Sequence, residues 1–251
     1  MDNHVQSVTL AGKRIMNNSY ELVDLNGISY YRYSIASFAP SMAAKEISIV
    51  IEYSDGRIRN ISISAVSYLA DLLATSANDN EKILAVKTLK YIQSAYSYFN
   101  KSQVSEASNI ESIVDQYKKY DVIYGNLKEE SAATGLLQNA IASACFNLSA
   151  SVRIRFYLNS AFNGTLSVTY NGTVVNYSIS NGRYNGYDYI EVVMSADKLN
   201  DTLILSDGVN SVAYGLNAYA TATNNTDSKL RQLLVSLSDY SSAAQSYVNS
   251  K

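Results

Sequence analysis

A chain of 251 residues with 47% hydrophobic content carries enough apolar material for one or two cored domains. Its net charge of −2 exerts no general pull on nucleic acid or anionic membrane. A single cysteine, Cys145, excludes an intrachain disulfide; a single histidine, His4, leaves no Ser-His-Asp or Cys-His pair and no histidine-rich or structural zinc site.

Twenty-two tyrosines stand against no tryptophan and one proline. Tyr, Ser and Asn make wet, adaptable binding surfaces. An AT-rich genome and the strand preference of Tyr account for the bias equally well. There is no signal peptide and no apolar run long enough to span a membrane. Met1 falls inside a strand pattern, so the chain is expected to be excised from a longer protein. Asn-x-Ser/Thr triplets such as Asn60-Ile61-Ser62 and Asn171-Gly172-Thr173 are expected by chance in so Asn- and Ser-rich a chain.

Residues 5–10 alternate, with Val5, Ser7 and Thr9 on one face and Gln6, Val8 and Leu10 on the other, and Ala11-Gly12 reads as a turn. Residues 30–35 and 47–53 read as strands. Ser54-Asp55-Gly56 turns into a further strand at 59–63. A short helix follows at 66–74, then a polar loop at 76–80 that supplies an N-cap for a long helix ending near Asn100.

Residues 104–120 and 127–140 read as helices of a connector. Ile110, Ile113, Val114 and Tyr117 form its apolar stripe, while Lys118, Lys119, Glu129 and Glu130 belong to a solvated face. Too apolar for a flexible linker, this stretch is expected to pack.

Residues 146–148 and 152–158 open a second series of strands. Val152, Ile154 and Phe156 face one way and Arg153, Arg155 and Tyr157 the other. Phe162-Asn163-Gly164 turns. Residues 167–170 run into Asn171-Gly172, a strong hairpin signal. Strands follow at 187–193, 202–205 and 211–214, the last two joined by Ser206-Asp207-Gly208. A short helix at 216–221, a polar loop at 223–228 and a final long helix complete the chain.

The second series repeats the first. Residues 89–100 read LKYIQSAYSYFN and residues 238–249 read SDYSSAAQSYVN. Tyr91 matches Tyr240, Ala95 matches Ala244 and Tyr98 matches Tyr247. Leu233, Leu237, Tyr240, Ala244 and Tyr247 lie on one helical stripe, and so do Leu84, Tyr91, Ala95 and Tyr98. The alanines admit close backbone approach, and each tyrosine ring is expected to pack against its own sheet. The predicted fold is α+β. Two related modules, each a small antiparallel sheet or sandwich with two helices, occupy residues 1–102 and 141–251, joined by a helical segment at 103–140. The first copy lacks the opening strands of the second and is N-terminally incomplete.

Ser54 to Gly56 and Ser206 to Gly208, Met42 to Lys45, Tyr68 to Ala70, Ser143 to Leu158, Tyr189 to Lys198 and the two Tyr/Ala helices, Val86 to Asn100 and Leu233 to Asn249, together resemble a repeat module of large secreted and cell-surface proteins of gut Clostridia and related Firmicutes. The resemblance covers most of the chain. It implies an extracellular or cell-wall-associated, non-catalytic module, and it carries no site residues. Val248 stands where the module's final Phe would be.

The residues themselves offer little chemistry. Asp188 and Glu191 are an odd step apart on a strand and face opposite sides, unlike a glycosidase pair. Asn78-Asp79-Asn80-Glu81 and Asn225-Thr226-Asp227 lack the calcium-loop spacing and read as helix caps. No Gly-rich phosphate loop follows a strand. Cys145, among Ala144, Phe146 and Leu148, reads as a buried inert thiol. No cofactor, metal or catalytic residue is expected.

The candidate binding residues are Tyr177, Arg183, Tyr184, Tyr187 and Tyr189, around a Gly-rich loop, since exposed Tyr and Arg anchor interfaces. The structural alternative is that Tyr187 and Tyr189 fill a sheet face and Tyr184 covers the loop. The expected function is adhesin-like recognition of a host protein or glycoprotein, an immunoglobulin among them, with no enzyme activity, no nucleic acid and no membrane insertion. A carbohydrate-binding accessory region, which the absence of Trp disfavours, and a structural spacer are the alternatives.

Overall fold

The alternating patterns become antiparallel strands and the 3.6-residue patterns become helices, giving an α+β fold. The computed structural model describes residues 5–10, 13–15, 20–33, 39–100, 105–128, 137, 139–149, 151–175, 177–184, 186–223 and 227–251. His4 and the Ala11-Gly12 turn lie outside them.

In the first half, strands β1 (Val5–Leu10) and β2 (Lys13–Ile15) form a hairpin. Strands β3 (Tyr20–Leu25) and β4 (Ile28–Tyr33) form another, and β5 (Ile47–Tyr53) and β6 (Ile58–Ile63) a third. Helices α1 (Ala65–Thr75) and α2 (Asp79–Phe99) follow, then the connector helix α3 (Ser105–Gln116). The second half runs through β7 (Ile141–Leu148), β8 (Val152–Leu158), β9 (Ser167–Tyr170), β10 (Thr173–Val174), β11 (Ser178–Tyr184) and β12 (Tyr187–Val193). Strands β13 (Thr202–Ser206) and β14 (Ser211–Gly215) lead to helices α4 (Leu216–Ala222) and α5 (Ser228–Asn249).

Local chemistry explains the boundaries. Asn26-Gly27 and Asn171-Gly172 all have positive φ, from 47° to 80°, the backbone that a two-residue hairpin turn requires. The β3 strand and its Asn-Gly turn are absent from the sequence reading, although the turn signal is the one read at Asn171-Gly172. The Asn78 side chain accepts from the Asn80 and Glu81 amides at the start of α2, and Asp227 accepts from Lys229 and Leu230 at the start of α5. In β1, Ser7 and Val8 point to opposite faces and both are buried, Ser7 donating its hydroxyl to Glu52 of β5.

Among the described residues there are three four-stranded sheets and one two-stranded sheet. The order β2-β1-β5-β6 in the first half has the same connectivity as β10-β9-β13-β14 in the second, and each is followed by a short and a long helix. Among the described residues, the third sheet, β11-β12-β8-β7, has no four-stranded counterpart in the first half.

Two buried clusters result among the described residues. The first is helical: Val66, Leu69 and Leu73 of α1, Ala85, Val86, Leu89 and Ile92 of α2, and Ile110 of α3, with Ile113, Val114 and Tyr117 packed on it. The connector stripe therefore packs as expected. Among the described residues, no strand residue joins this cluster. The second is built from Phe146, Ile154, Phe156, Ile190 and Val192 of one sheet, Val168, Leu203 and Leu205 of the other, and Leu216, Leu233 and Leu237 of the helices.

Helix α2 serves both clusters. Its Tyr91 and Ala95 belong to the second, with Tyr240 packed against it. The Tyr91 ring stacks on that of Tyr240, 5.4 Å between centroids, which corrects the expectation that each ring packs on its own sheet. The two long helices run antiparallel, as the contacts Lys229–Ser97, Ser236–Ser94 and Tyr247–Glu81 show. Small side chains at Ser94, Ala95, Ser236, Ala243 and Ala244, all buried, allow this approach.

The connector differs from its reading in its second part. Leu127, Lys128, Leu137, Asn139 and Ala140 lie in irregular backbone, and the remainder of 127–140 lies outside the described residues. Asp121 is tied to Lys87 of α2, Asn126 to Ser242 of α5 and the Lys128 amide to Asn217 of α4. An extended chain advances about 3.3 Å per residue against about 1.5 Å in a helix, and the irregular backbone of residues 121–128 passes over α2, α5 and α4 in turn.

Candidate functional site

Strict alternation in β8 and β12 divides the β11-β12-β8-β7 sheet into two faces. Ile154, Phe156, Ile190 and Val192 turn into the core and are fully buried. Arg153, Arg155 and Tyr157 on β8, with Tyr187, Tyr189, Glu191 and Val193 on β12, occupy the opposite face. The register sets Glu191 against Arg155, Tyr189 against Tyr157 and Val193 against Arg153.

Glu191 is the centre of this face. Its carboxylate accepts from Arg155 at 2.7 Å, from Arg153 at 3.0 Å and from Asn147 Nδ2 at 3.2 Å. Burial alone would push the Glu191 carboxyl up, but the hydrogen bonds from Arg155, Asn147 and Arg153 outweigh it and hold the group below the usual carboxylate range. The Arg155 guanidinium lies 4.1 Å from the Tyr189 ring centroid and reaches the Tyr157 hydroxyl at 3.4 Å. The Tyr157 and Tyr189 rings meet edge to face at 6.1 Å. Tyr187 and Val193, 41% and 62% exposed, extend the face outward.

The sequence-predicted residues separate here. Tyr187 and Tyr189 share the outer face. Tyr177 does not join them: its hydroxyl donates to the Leu166 carbonyl and its ring packs on the core, so its role is structural. The Arg183 and Tyr184 side chains lie outside the described residues; Tyr184 backbone pairs with Tyr187. Cys145 is half-buried with its thiol 3.9 Å from the Tyr157 hydroxyl, not sealed in the core, because it sits on the outward side of β7. Asp188 and Glu191 lie on opposite faces, as their spacing requires. The sequence reading overlooked Arg153, Arg155, Tyr157, Asn147 and Glu191 as a cluster. Alternation alone put three of them on one face; their union with Glu191 depends on which strand lies beside β8.

The face is aromatic and charged, with its ion pairs made within the sheet. Such a surface suits recognition by stacking and hydrogen bonding. Among the described residues no group of three or more His, Cys, Asp or Glu side chains is arranged to hold a metal ion. Nor is any described helix long and apolar enough to cross a membrane. No family model, curated protein or solved structure matches this chain.

Proposed function

We propose that this chain is a non-catalytic, extracellular recognition module built from two related copies, and that the outer face of β7, β8, β12 and β11 binds a host protein or glycoprotein. The observation that carries the reading is the pre-ordered Tyr157, Tyr189, Arg153, Arg155 and Glu191 cluster beside exposed Tyr187 and Val193. Ordering these side chains in advance lowers the entropy cost of binding. The shared connectivity of the two β-hairpin-and-helix series and the resemblance to surface repeat modules support the tandem, extracellular part.

The test is biolayer interferometry of the purified chain against immunoglobulin, mucin and serum glycoproteins, with a glycan array in parallel. Protein binding that falls at least tenfold in Tyr187→Ala and Tyr189→Ala, with unchanged melting temperature, is the expected result. Binding to free glycans alone would make the same tyrosines a sugar platform. Binding untouched by both substitutions would remove this face from the function. Turnover of a peptide or polysaccharide by the pure chain would overturn the non-catalytic reading.

A further inference from the structure

Strands β3 and β4 belong to neither buried cluster and, among the described residues, pair only with each other. Tyr20, Leu22 and Tyr31 are 39%, 63% and 51% exposed. A lone two-stranded hairpin is marginal in water, and an open edge flanked by apolar side chains is a template for another strand.

The second half shows what such an edge takes. The β3–β4 and β11–β12 hairpins both carry Asn-Gly between their strands in sequence, at 26–27 and 185–186; β3–β4 lies in the chain between β2 and β5, and β11–β12 between β10 and β13. Aligned on that turn, Leu25 and Ile28 take the places of Tyr184 and Tyr187. Tyr31 and Tyr33 take those of Ile190 and Val192, and Arg32 that of Glu191. The free side of β12 is covered by β8, and Ile190 and Val192 are buried in the second cluster. No described strand covers β4.

The charge at the aligned position is reversed. Glu191 receives Arg155 from directly across and Arg153 from the diagonal. Arg32 has Glu21 of its own hairpin at 3.4 Å, both side chains more than 60% exposed. A hairpin built like β7–β8 but with arginine there would set like charges directly opposite, which destabilises a sheet. An acidic residue would give Arg32 a carboxylate on each side, Glu21 from β3 and the new one from the added strand.

We infer that β4 is an acceptor edge: a β-hairpin of a partner polypeptide adds antiparallel to it, with an acidic residue opposite Arg32 and aliphatic or aromatic residues opposite Tyr31 and Tyr33. The addition completes a four-stranded sheet of the β11-β12-β8-β7 kind. Leu25 and Ile28 close a two-residue turn, so alternation leaves the backbone groups of Ser29, Tyr31 and Tyr33 on the open side. This edge shares no residue with the face proposed above.

The experiment uses the ¹⁵N-labelled full chain and two synthetic hairpins, one with the sequence of residues 141–158 and one carrying Arg155→Glu in it. The Arg155→Glu hairpin is expected to shift the Ser29, Tyr31 and Tyr33 amides, with the unaltered hairpin about fivefold weaker. In the full chain, Arg32→Glu should reverse that preference. Tyr31→Pro, which removes an outward N–H and leaves the β3–β4 hydrogen bonds intact, should abolish binding of both. Absence of shifts, equal affinities, an unreversed preference in Arg32→Glu, or concentration-dependent dimerisation through β4 would each overturn the assignment, the last by making a second copy the occupant.

Discussion

Tyr91 and Tyr240, 149 residues apart, stack with ring planes 17° from parallel and centroids 5.4 Å apart. They occupy matching positions of two similarly patterned helices, α2 and α5, and the two halves of the chain meet where these helices pack. An interface of two like surfaces has this property, each position meeting its own counterpart near the centre.

The Tyr91 hydroxyl is buried without a hydrogen-bond partner among the described residues. Burial, and secondarily Tyr240, push its ionisation above the usual tyrosine range. Removing an unsatisfied buried hydroxyl relieves its desolvation cost, so Tyr91→Phe should stabilise the fold by about 1 kcal/mol in urea melts. Tyr91→Ala should cost roughly 3–5 kcal/mol by comparison with Phe→Ala. A double-mutant cycle with Tyr240→Ala should return a coupling of about 0.5–1.5 kcal/mol. A coupling of zero would mean that the stacked rings contribute only buried area.

Lys87 is 1% exposed and bridges Asp121 at 2.7 Å and Asp239 at 2.9 Å, tying α2 to the connector and to α5. Lys87→Met leaves Asp239 buried without its ion-pair partner and should destabilise by roughly 3–5 kcal/mol. Asp121 keeps Lys90 at 2.8 Å. Lys87→Met combined with Asp239→Leu should recover most of that loss, as a chemical-denaturation series would measure.

Stability should fall with acid in a defined sense. Burial raises the Asp121 carboxyl, but hydrogen bonds from Lys87 and Lys90 prevail and lower it. Glu191 is lowered likewise by Arg155, Asn147 and Arg153. A carboxylate depressed in the folded state contributes stability above its unfolded pKa, near 4, and loses it as pH falls through the folded value. Melting temperature should be level above about pH 5 and decline below it. Glu191→Gln should shallow the decline and lower the plateau.

Gly215, which precedes α4, has extended backbone, and a Cβ there would meet the Asp201 carbonyl oxygen at 2.9 Å. Backbone cannot yield as a side-chain tip can, so Gly215→Ala should cost about 1–3 kcal/mol, read as a drop in melting temperature. An unchanged melting temperature would show that β13 shifts freely.

What the sequence determined by itself is local. Strands at 47–53, 152–158 and 187–193, the Asn171-Gly172 turn, the caps at Asn78 and Asp227 and the repeated helix all follow from period, turn chemistry and capping, which act within a few residues. Tertiary structure decided the rest. Lys87 lies on the stripe between Leu84 and Tyr91, and a lysine there signals a buried cation, but its partners are 34 and 152 residues away. Tyr177 turned structural because Leu166 offers it a carbonyl. Glu191 became the centre of a face because β8, not another strand, lies beside β12. Side-chain direction is set by the strand's own alternation, but the neighbour across it is set by which long-range pairings bury the most apolar surface, a competition no single segment records.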